Sequence, residues 1–394
     1  MPARHLVLMH PFAGVDGVRE LNQRAGIRVG NDADVSGPIT ARRSYRASRG
    51  FYLSDLDVAV VNADPDQAAA LARGAREPGP IAFIEPERTL RVRPVTPPAT
   101  GAGEDSGEFQ VPHLPFTWGL QAVGAAATRA TGKGVRLAVL DTGIDMEHPD
   151  FVHKLGIAQS FVADETTQDV IGHGTHCAGI ATGPRTLEVF PGYGVAPEAN
   201  LYVAKTVDKA GEGQDGAVLS AIAWAVRHKC AVVSISLGSP VRPDEFYSVV
   251  FEQVAARALR AGTLIVAAAG NDSDRVKNLA APVDHPANCP SVLAVGAIGQ
   301  DDTVAPFSNM TVNLSGGAVD VAAPGVDVFS AWIGGYRTLS GTSMATPHVA
   351  GVAALLSQAT GARGWELWAR LQGFARRLEA PSRDVGAGLV QAPR

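Results

Sequence analysis

Residues 341–351 read GTSMATPHVAG, a turn of small residues that runs directly into an apolar helix predicted over residues 349–356. Ser343 therefore stands near the amino end of a helix, where unpaired N–H groups and the helix dipole favour negative charge. Pro347 fits this prediction because a proline is tolerated in the first helical turn. The stretch suits a serine nucleophile whose attack creates an oxyanion. Taken alone, it fits a helix entry capped by Thr342 or Ser343 equally well.

Two further polar residues each follow a predicted buried strand. Asp141 comes directly after the apolar run 135–140, and Asn271 comes shortly after the run 263–268. Such strands are typical of a parallel sheet, and ligands bind beyond their carboxyl ends. A carboxylate there can hold an imidazole in one tautomer, and an amide can donate a hydrogen bond to an oxyanion. Both residues also fit ordinary turn positions.

A histidine stands between two glycines at the start of a predicted helix. His173 lies between Gly172 and Gly174, and His176 follows three residues later. Histidine has the pKa of a general base near neutral pH. The two histidines also have a spacing that can share a metal ion, but no third ligand stands nearby in the sequence. A general base is therefore the favoured interpretation, with no metal assigned.

Taken together, these features resemble the subtilisin-like serine proteases, the subtilases. The order Asp141, His173, Ser343 along the chain is the order of the subtilisin arrangement. The resemblance spans about residues 118–389. The stretches that carry it are VLDTGI (139–144), HGTHCAG (173–179), SLG (236–238), AAGN (268–271) and GTSMATPH (341–348).

This resemblance implies a serine endopeptidase that hydrolyses peptide bonds through an acyl-enzyme. Ser343 would be the nucleophile, His173 the general base and acid, and Asp141 the orienting carboxylate. Asn271 and the N–H of Ser343 would form the oxyanion hole. Asp272, the next residue, either favours basic residues at P1 or faces solvent. One segment would bind substrate by strand pairing: Ser236, Leu237 and Gly238. A second segment would line the wall of the P1 pocket: Ala268, Ala269 and Gly270.

The chain divides into three parts. Residues 1–93 predict a small α+β domain with the ferredoxin-like order β-α-β-β-α-β, including one strand within 27–45 and one over 50–62. Residues 94–115 are rich in proline and glycine and predict a flexible linker. Residues 116–394 alternate strands and helices. They predict an α/β domain of three layers around a mainly parallel sheet.

The front domain resembles the inhibitory prodomain of subtilases in VAVVNADP (58–65) and FIEPE (83–87). That resemblance implies a zymogen, in which the chain after Glu85 occupies the active-site cleft. Self-cleavage is expected somewhere in residues 91–115. The front domain is thus an expected partner, besides a protein or peptide substrate.

The composition argues against several other classes of protein. With 46% hydrophobic residues, 19% charged residues and a net charge of −5, nothing indicates binding to nucleic acid. No apolar run reaches the ~20 residues that span a bilayer, so no membrane partner is expected. Residues 1–14 show no signal-peptide core, which predicts a cytoplasmic location, with secretion by another route left open. The three cysteines form neither a disulfide framework nor a zinc site.

No cofactor is expected for catalysis. Many relatives carry an Asn-rich calcium loop after the histidine helix, but the corresponding residues 183–192 lack those amides. Structural calcium stays open and unassigned, and Asp150 is either a ligand or, preferably, a surface-turn residue. Two alternative functions also remain: a catalytically silent binding protein, and an esterase or peptide ligase that uses the same acyl-enzyme.

Overall fold

The computed structural model describes residues 2–11, 13–31, 50–92, 115–152, 154–185, 191–313 and 315–394. Nearly all of the predicted linker, and most of the strand expected within 27–45, lie outside the described residues.

The front domain is a five-stranded sheet with helices on one face. The strand order is β2-β3-β4-β1-β5, and its β5-β1-β4-β3 part fits the predicted ferredoxin-like pattern. The elements are β1 (Ala3–Met9), α1 (Gly14–Ala25), β2 (Gly30–Asn31), β3 (Gly50–Leu53), β4 (Val58–Ala63), α2 (Pro65–Gly74), β5 (Ile81–Pro86) and β6 (Thr89–Arg91).

The single strand predicted over 50–62 is wrong, because the chain reverses within it. β3 and β4 pair antiparallel, with Leu53 opposite Val58. Asp57 has a φ of 48°, the left-handed conformation that a short turn uses. An aspartate tolerates this conformation better than most residues. The apolar residues that follow Asp57 nevertheless give the sequence the pattern of one continuous strand.

The second domain is built on a seven-stranded sheet of order β14-β13-β12-β11-β7-β9-β8. All six neighbouring pairs are parallel, which confirms the predicted α/β class. The elements are α3 (Trp118–Ala122), β7 (Arg136–Asp141), β8 (Leu155–Ser160), α4 (His173–Thr182), β9 (Asn200–Lys205), β10 (Glu212–Gln214), α5 (Asp215–Arg227), β11 (Val232–Ile235), α6 (Val249–Arg260), β12 (Leu264–Ala268), β13 (Leu293–Ile298), β14 (Val321–Pro324), β15 (Val328–Trp332), β16 (Gly335–Leu339), α7 (Thr342–Thr360), α8 (Gly364–Phe374) and α9 (Ser382–Val385).

Helices cover both faces of this sheet and form three layers. Buried side chains of α4 and α7 share one core with one face of the sheet. Side chains of α5 and α6 share a second core with the other face, and Leu6, Val58 and Leu90 of the front domain belong to that same core. The front sheet therefore packs onto α5 and α6, while its other face packs on its own helices.

Three neighbouring strands bring their carboxyl ends to one place. β12, β11 and β7 are adjacent in the sheet, and each ends near a residue that the sequence singles out. Asp141 is the last residue of β7, Ser236 follows β11, and Asn271 lies three residues after β12. This is the edge where an open parallel sheet binds ligands.

Candidate active site

Asp141 and His173 form a buried pair. The Nδ1–H of His173 donates to Oδ1 of Asp141 over 2.8 Å, and the N–H of Thr142 donates to the same oxygen over 2.8 Å. Because Nδ1 carries the proton, Nε2 is an acceptor. It is buried and has no hydrogen-bond partner among the described residues. An imidazole held in this tautomer can accept a proton at Nε2.

Asp169 fixes the two segments that carry this pair. Its Oδ1 accepts the hydroxyl of Thr142 over 2.9 Å, and its Oδ2 accepts the N–H of Thr175 in the first turn of α4 over 2.9 Å. Thr142 Oγ1 in turn accepts the N–H of Gly174 over 2.8 Å. Asp169 was not predicted, because it lies three residues before Gly172, the N-cap residue, and so outside the usual capping position.

A buried lysine supports the same turn from the neighbouring strand. Lys205 is 1% exposed and donates to the carbonyl oxygen of Thr142 over 2.7 Å. Its ammonium also lies 3.3 Å from Oε2 of Glu165. A buried charge needs such partners, and here they tie the turn after Asp141 to β9. No pattern in the sequence singled this lysine out.

Ser343 stands at the start of α7, which begins earlier than predicted. The helix starts at Thr342, so Pro347 lies inside it and not in its first turn. Pro347 lacks the N–H that would pair with the carbonyl of Ser343. Ser236 Oγ donates to that carbonyl oxygen instead, over 2.9 Å. The hydroxyl of Ser343 donates to the carbonyl oxygen of Ser236 over 3.1 Å, so the two serines lock β11 to α7.

Asn271 caps α7 from outside, which corrects the interpretation that Thr342 or Ser343 caps it. Its Oδ1 accepts both the N–H and the hydroxyl of Thr342, each over 2.9 Å. These bonds occupy the amide oxygen and orient the Nδ2 donor. Nδ2 lies 3.5 Å from where a Cβ on Gly341 would stand, beside the turn that precedes Ser343. The amide can therefore donate to an anion that forms at the serine.

Cys177 lies between the histidine and the serine. Its Sγ is 3.8 Å from Nδ1 of His173 and donates to the carbonyl oxygen of Ser343 over 3.5 Å. Burial raises the pKa of the Cys177 thiol, so the thiol is neutral at pH 7. Burial opposes the charge on His173, but Asp141 outweighs it and holds the pKa of His173 well above 6.5. Because the Cys177 thiol is neutral, its charge does not contribute to the raised pKa of His173.

The donor atoms of Asp141, His173 and Cys177 lie within 4.8 Å of one another. His176, which the sequence analysis considered as a metal ligand together with His173, does not belong to this group. The Nε2 of His176 is hydrogen-bonded to the carbonyl oxygen of Arg337 at 3.0 Å, and burial lowers the pKa of His176 to about 3. That ring belongs to the packing between α4 and the β15–β16 hairpin.

The segment predicted to pair with substrate already pairs with the front domain. Arg91 and Gly238 exchange both backbone hydrogen bonds, over 2.9 and 3.1 Å. On its other side β6 pairs antiparallel with β10, with Glu212 opposite Arg91 and Gln214 opposite Thr89. An extended strand of the chain, β6, therefore lies between 236–238 and β10.

Asp150 is not the surface-turn residue that the sequence favoured. Its side chain is 8% exposed, and its Oδ2 accepts the hydroxyls of Tyr193 and Tyr336, the latter over 3.1 Å. The two hydroxyls use the lone pairs of Oδ2, so that oxygen is not available to a cation. Residues 186–190 of the region considered for calcium lie outside the described residues.

Comparison with known proteins agrees with this geometry. Residues 132–374 match the model of the Subtilase family. Subtilisin E of Bacillus subtilis (strain 168) is 40% identical over 246 residues, which cover 61% of this chain and 60% of that protein. M-protease of Shouchella clausii (strain KSM-K16) is 41% identical over 261 residues, 65% and 63% of the two chains. The chain thus spans about 60% of the length of these relatives.

The cytoplasmic location expected from residues 1–14 is wrong. The relatives are secreted, extracellular subtilisins, and this points away from the cytoplasm. Within the described ranges, no helix is long and apolar enough to cross a membrane.

The family model covers well over half of the chain and includes Asp141, His173, Asn271 and Ser343. The parallel sheet, the strand-end aspartate and the helix-start histidine and serine are those that the sequence predicts. The chain therefore belongs to the subtilase family.

Proposed function

We propose that this chain is a serine endopeptidase that hydrolyses peptide bonds through an acyl-enzyme. The observation that carries the proposal is the Asp141–His173 hydrogen bond of 2.8 Å, which leaves a buried Nε2 to accept a proton. Ser343 is the nucleophile, at a helix start that favours the charge formed on attack. Its substrates are proteins or peptides in extended conformation.

The reaction follows from these positions. The hydroxyl of Ser343 rotates away from the carbonyl of Ser236, gives its proton to Nε2 of His173 and attacks the peptide carbonyl. The carboxylate of Asp141 stabilises the imidazolium. Nδ2 of Asn271 and the N–H of Ser343 stabilise the oxyanion. His173 then protonates the leaving amine, and water repeats the sequence on the acyl-enzyme. Apart from the substrate and one water molecule, every reacting group belongs to the chain, so these steps use no cofactor.

Peptide hydrolysis by matched serine variants tests this proposal. Ser343→Ala should abolish cleavage of a fluorogenic peptide, while Ser315→Ala, at an exposed serine, should leave kcat/KM unchanged. Full activity of Ser343→Ala would contradict the proposal. An enzyme that cleaves ester but not peptide substrates would favour the esterase alternative.

We also propose that residues 1–93 are an inhibitory prodomain and that the chain is a zymogen matured within 91–115. In support, β6 fills the groove between 236–238 and β10, and two front-domain carboxylates sit at helix starts of the second domain. Glu87 accepts the N–H of Gly216 at the start of α5 over 2.7 Å. Glu85 accepts the N–H of Val250 at the start of α6 over 3.2 Å. Burial raises the pKa of Glu85 and of Glu87, and the helix amino ends, which favour negative charge, offset part of that cost.

Intact mass and amino-terminal sequencing of the purified chain test the zymogen proposal. The expected result is a cut within 91–115 in the unaltered chain and an uncut Ser343→Ala chain. Shortening of Ser343→Ala when it is purified alone would refute self-cleavage. An unaltered chain that stays full-length and fully active would refute inhibition by the front domain.

A further inference from the structure

The two segments that flank the predicted P1 pocket are bridged by a third. The N–H of Asp284 donates to the carbonyl oxygen of Ala269 over 2.9 Å. The next residue, His285, exchanges two backbone hydrogen bonds with Ser239, over 2.9 and 3.0 Å. One wall ends at Gly270 and the other at Gly238, so the chain around Asp284 closes the space between them.

The carboxylate of Asp284 faces both walls. A Cβ placed on Gly270 would lie 2.6 Å from Oδ2 of Asp284, and one placed on Gly238 would lie 3.4 Å from the same oxygen. Gly270 also has a φ of 108°, which side chains rarely adopt. Glycine at these two positions thus leaves the carboxylate in contact with the pocket walls. Asp284 is 1% exposed, so its carboxylate lies behind these two walls and away from solvent.

A buried amide holds this carboxylate in place. Asn309 is fully buried and its Nδ2 donates to Oδ1 of Asp284 over 3.3 Å and to the carbonyl oxygen of Pro282 over 2.9 Å. Its Oδ1 accepts the N–H groups of Asp272 and Ser273, over 2.8 and 3.0 Å. Asp284 is therefore oriented before any substrate arrives.

We infer that Asp284 is the floor of the P1 pocket and makes the enzyme select lysine or arginine at P1. This inference rests on the proposed peptidase function and deepens it. An ammonium or guanidinium group in the pocket would pair with the carboxylate where water is excluded, and charge-assisted hydrogen bonds are the strong ones there. An apolar P1 side chain would instead cover the carboxylate without offering it a donor. Asp272, the residue considered from sequence, is exposed.

The rest of the groove has matching charge. The front-domain strand that lies in it carries Arg91, whose guanidinium pairs with Glu212 over 2.7 Å. Arg88, just before the strand, lies 3.8 Å from Glu245. The groove thus already accommodates a basic segment beside two acidic residues, which is the substrate chemistry that an acidic pocket floor predicts.

The test is a peptide series that differs only at P1, with Arg, Lys, Phe and Leu, cleaved by the full chain after processing. Enzyme concentration is set by titration with a fluorophosphonate. The kcat/KM values for Arg and Lys should exceed those for Phe and Leu at least about tenfold. Asp284→Asn should remove most of this ratio, while Asp301→Asn, at an exposed aspartate bonded within its own turn, should keep it.

If the Asp284→Asn variant folds poorly, a measurement on the unaltered enzyme still tests the inference. Benzamidine, whose amidinium can pair with the carboxylate, should compete with the Arg peptide. Equal cleavage of Arg and Phe peptides by the titratable, unaltered enzyme would overturn this inference and leave the peptidase proposal standing. Failure to cleave any peptide would overturn both.

Discussion

Replacement of Asp169 is the most informative perturbation outside the groups proposed to react. Its carboxylate accepts hydrogen bonds from three backbone N–H groups, those of Ile171, Gly172 and Thr175, over 2.8 to 3.0 Å. It also accepts the hydroxyls of Thr142 and Thr175, over 2.9 and 2.8 Å. The amino end of α4 and the turn after β7 therefore share one buried carboxylate.

The expected loss of stability follows from the number of donors that lose their acceptor. The hydroxyls can rotate to other acceptors, but three backbone N–H groups cannot. A buried donor left without a partner costs about 1–3 kcal/mol. Asp169→Ala should therefore lower the free energy of unfolding by about 3 kcal/mol or more, measured by urea denaturation of the Ser343→Ala chain to prevent self-digestion. Asp301→Asn, an exposed carboxylate bonded within its own turn, is the control.

Activity gives the sharper readout. Asp169→Asn keeps one acceptor oxygen but replaces the other with an NH2 group, which would face the N–H and hydroxyl donors that now bond to the carboxylate. We expect a displaced His173 and a fall in kcat of about 100-fold, the scale of a misplacement of about 1 Å. KM should change little, because Asp169 does not touch the substrate groove. Unchanged kcat in a folded Asp169→Asn enzyme would refute the reasoning.

Three further outcomes follow from the site. Below its raised pKa the imidazole of His173 is protonated and cannot act as a base, so kcat/KM should rise with pH through a midpoint above 6.5; Asp141→Asn should lower that midpoint, and a wild-type midpoint at or below 6.5 would contradict this. Ser236→Ala leaves the carbonyl of Ser343 without its main donor and should cost about 1–3 kcal/mol in urea denaturation, whereas an unchanged midpoint would show that the bond is dispensable. A mercurial should react slowly with Cys177, because the thiol is buried and neutral, and hydrolysis should stop once it has reacted. Equal inhibition of a Cys177→Ala enzyme would show that the mercurial acts at another residue.

Much of the site could be predicted because its residues carry local signals. Asp141 and Asn271 follow apolar strands, and His173 and Ser343 begin helices. Parallel strands that are neighbours in a sheet bring their carboxyl ends together, so these signals imply proximity. The structure places His173 and Asp141 in direct contact, while their catalytic roles remain predictions that the variants above test.

The parts that escaped prediction depend on contacts between distant segments. The start of α7 was predicted too late because a proline is expected in the first helical turn and not inside the helix. The hydroxyl of Ser236, over a hundred residues earlier, replaces the hydrogen bond that Pro347 cannot make. Asp284 stands in an unremarkable run of the sequence. Only its pairing with Ala269, and that of its neighbour with Ser239, places it between the pocket walls.

The most direct test of the central claim is the site of covalent modification by a fluorophosphonate. The processed chain should gain one phosphonyl group, and tandem mass spectrometry should place it on Ser343. His173→Ala, matured in trans by a trace of the unaltered enzyme, should not be labelled, because the hydroxyl then has no base. Labelling of another residue, or labelling of Ser343 that is unaffected by loss of His173, would contradict the proposed Asp141–His173–Ser343 mechanism.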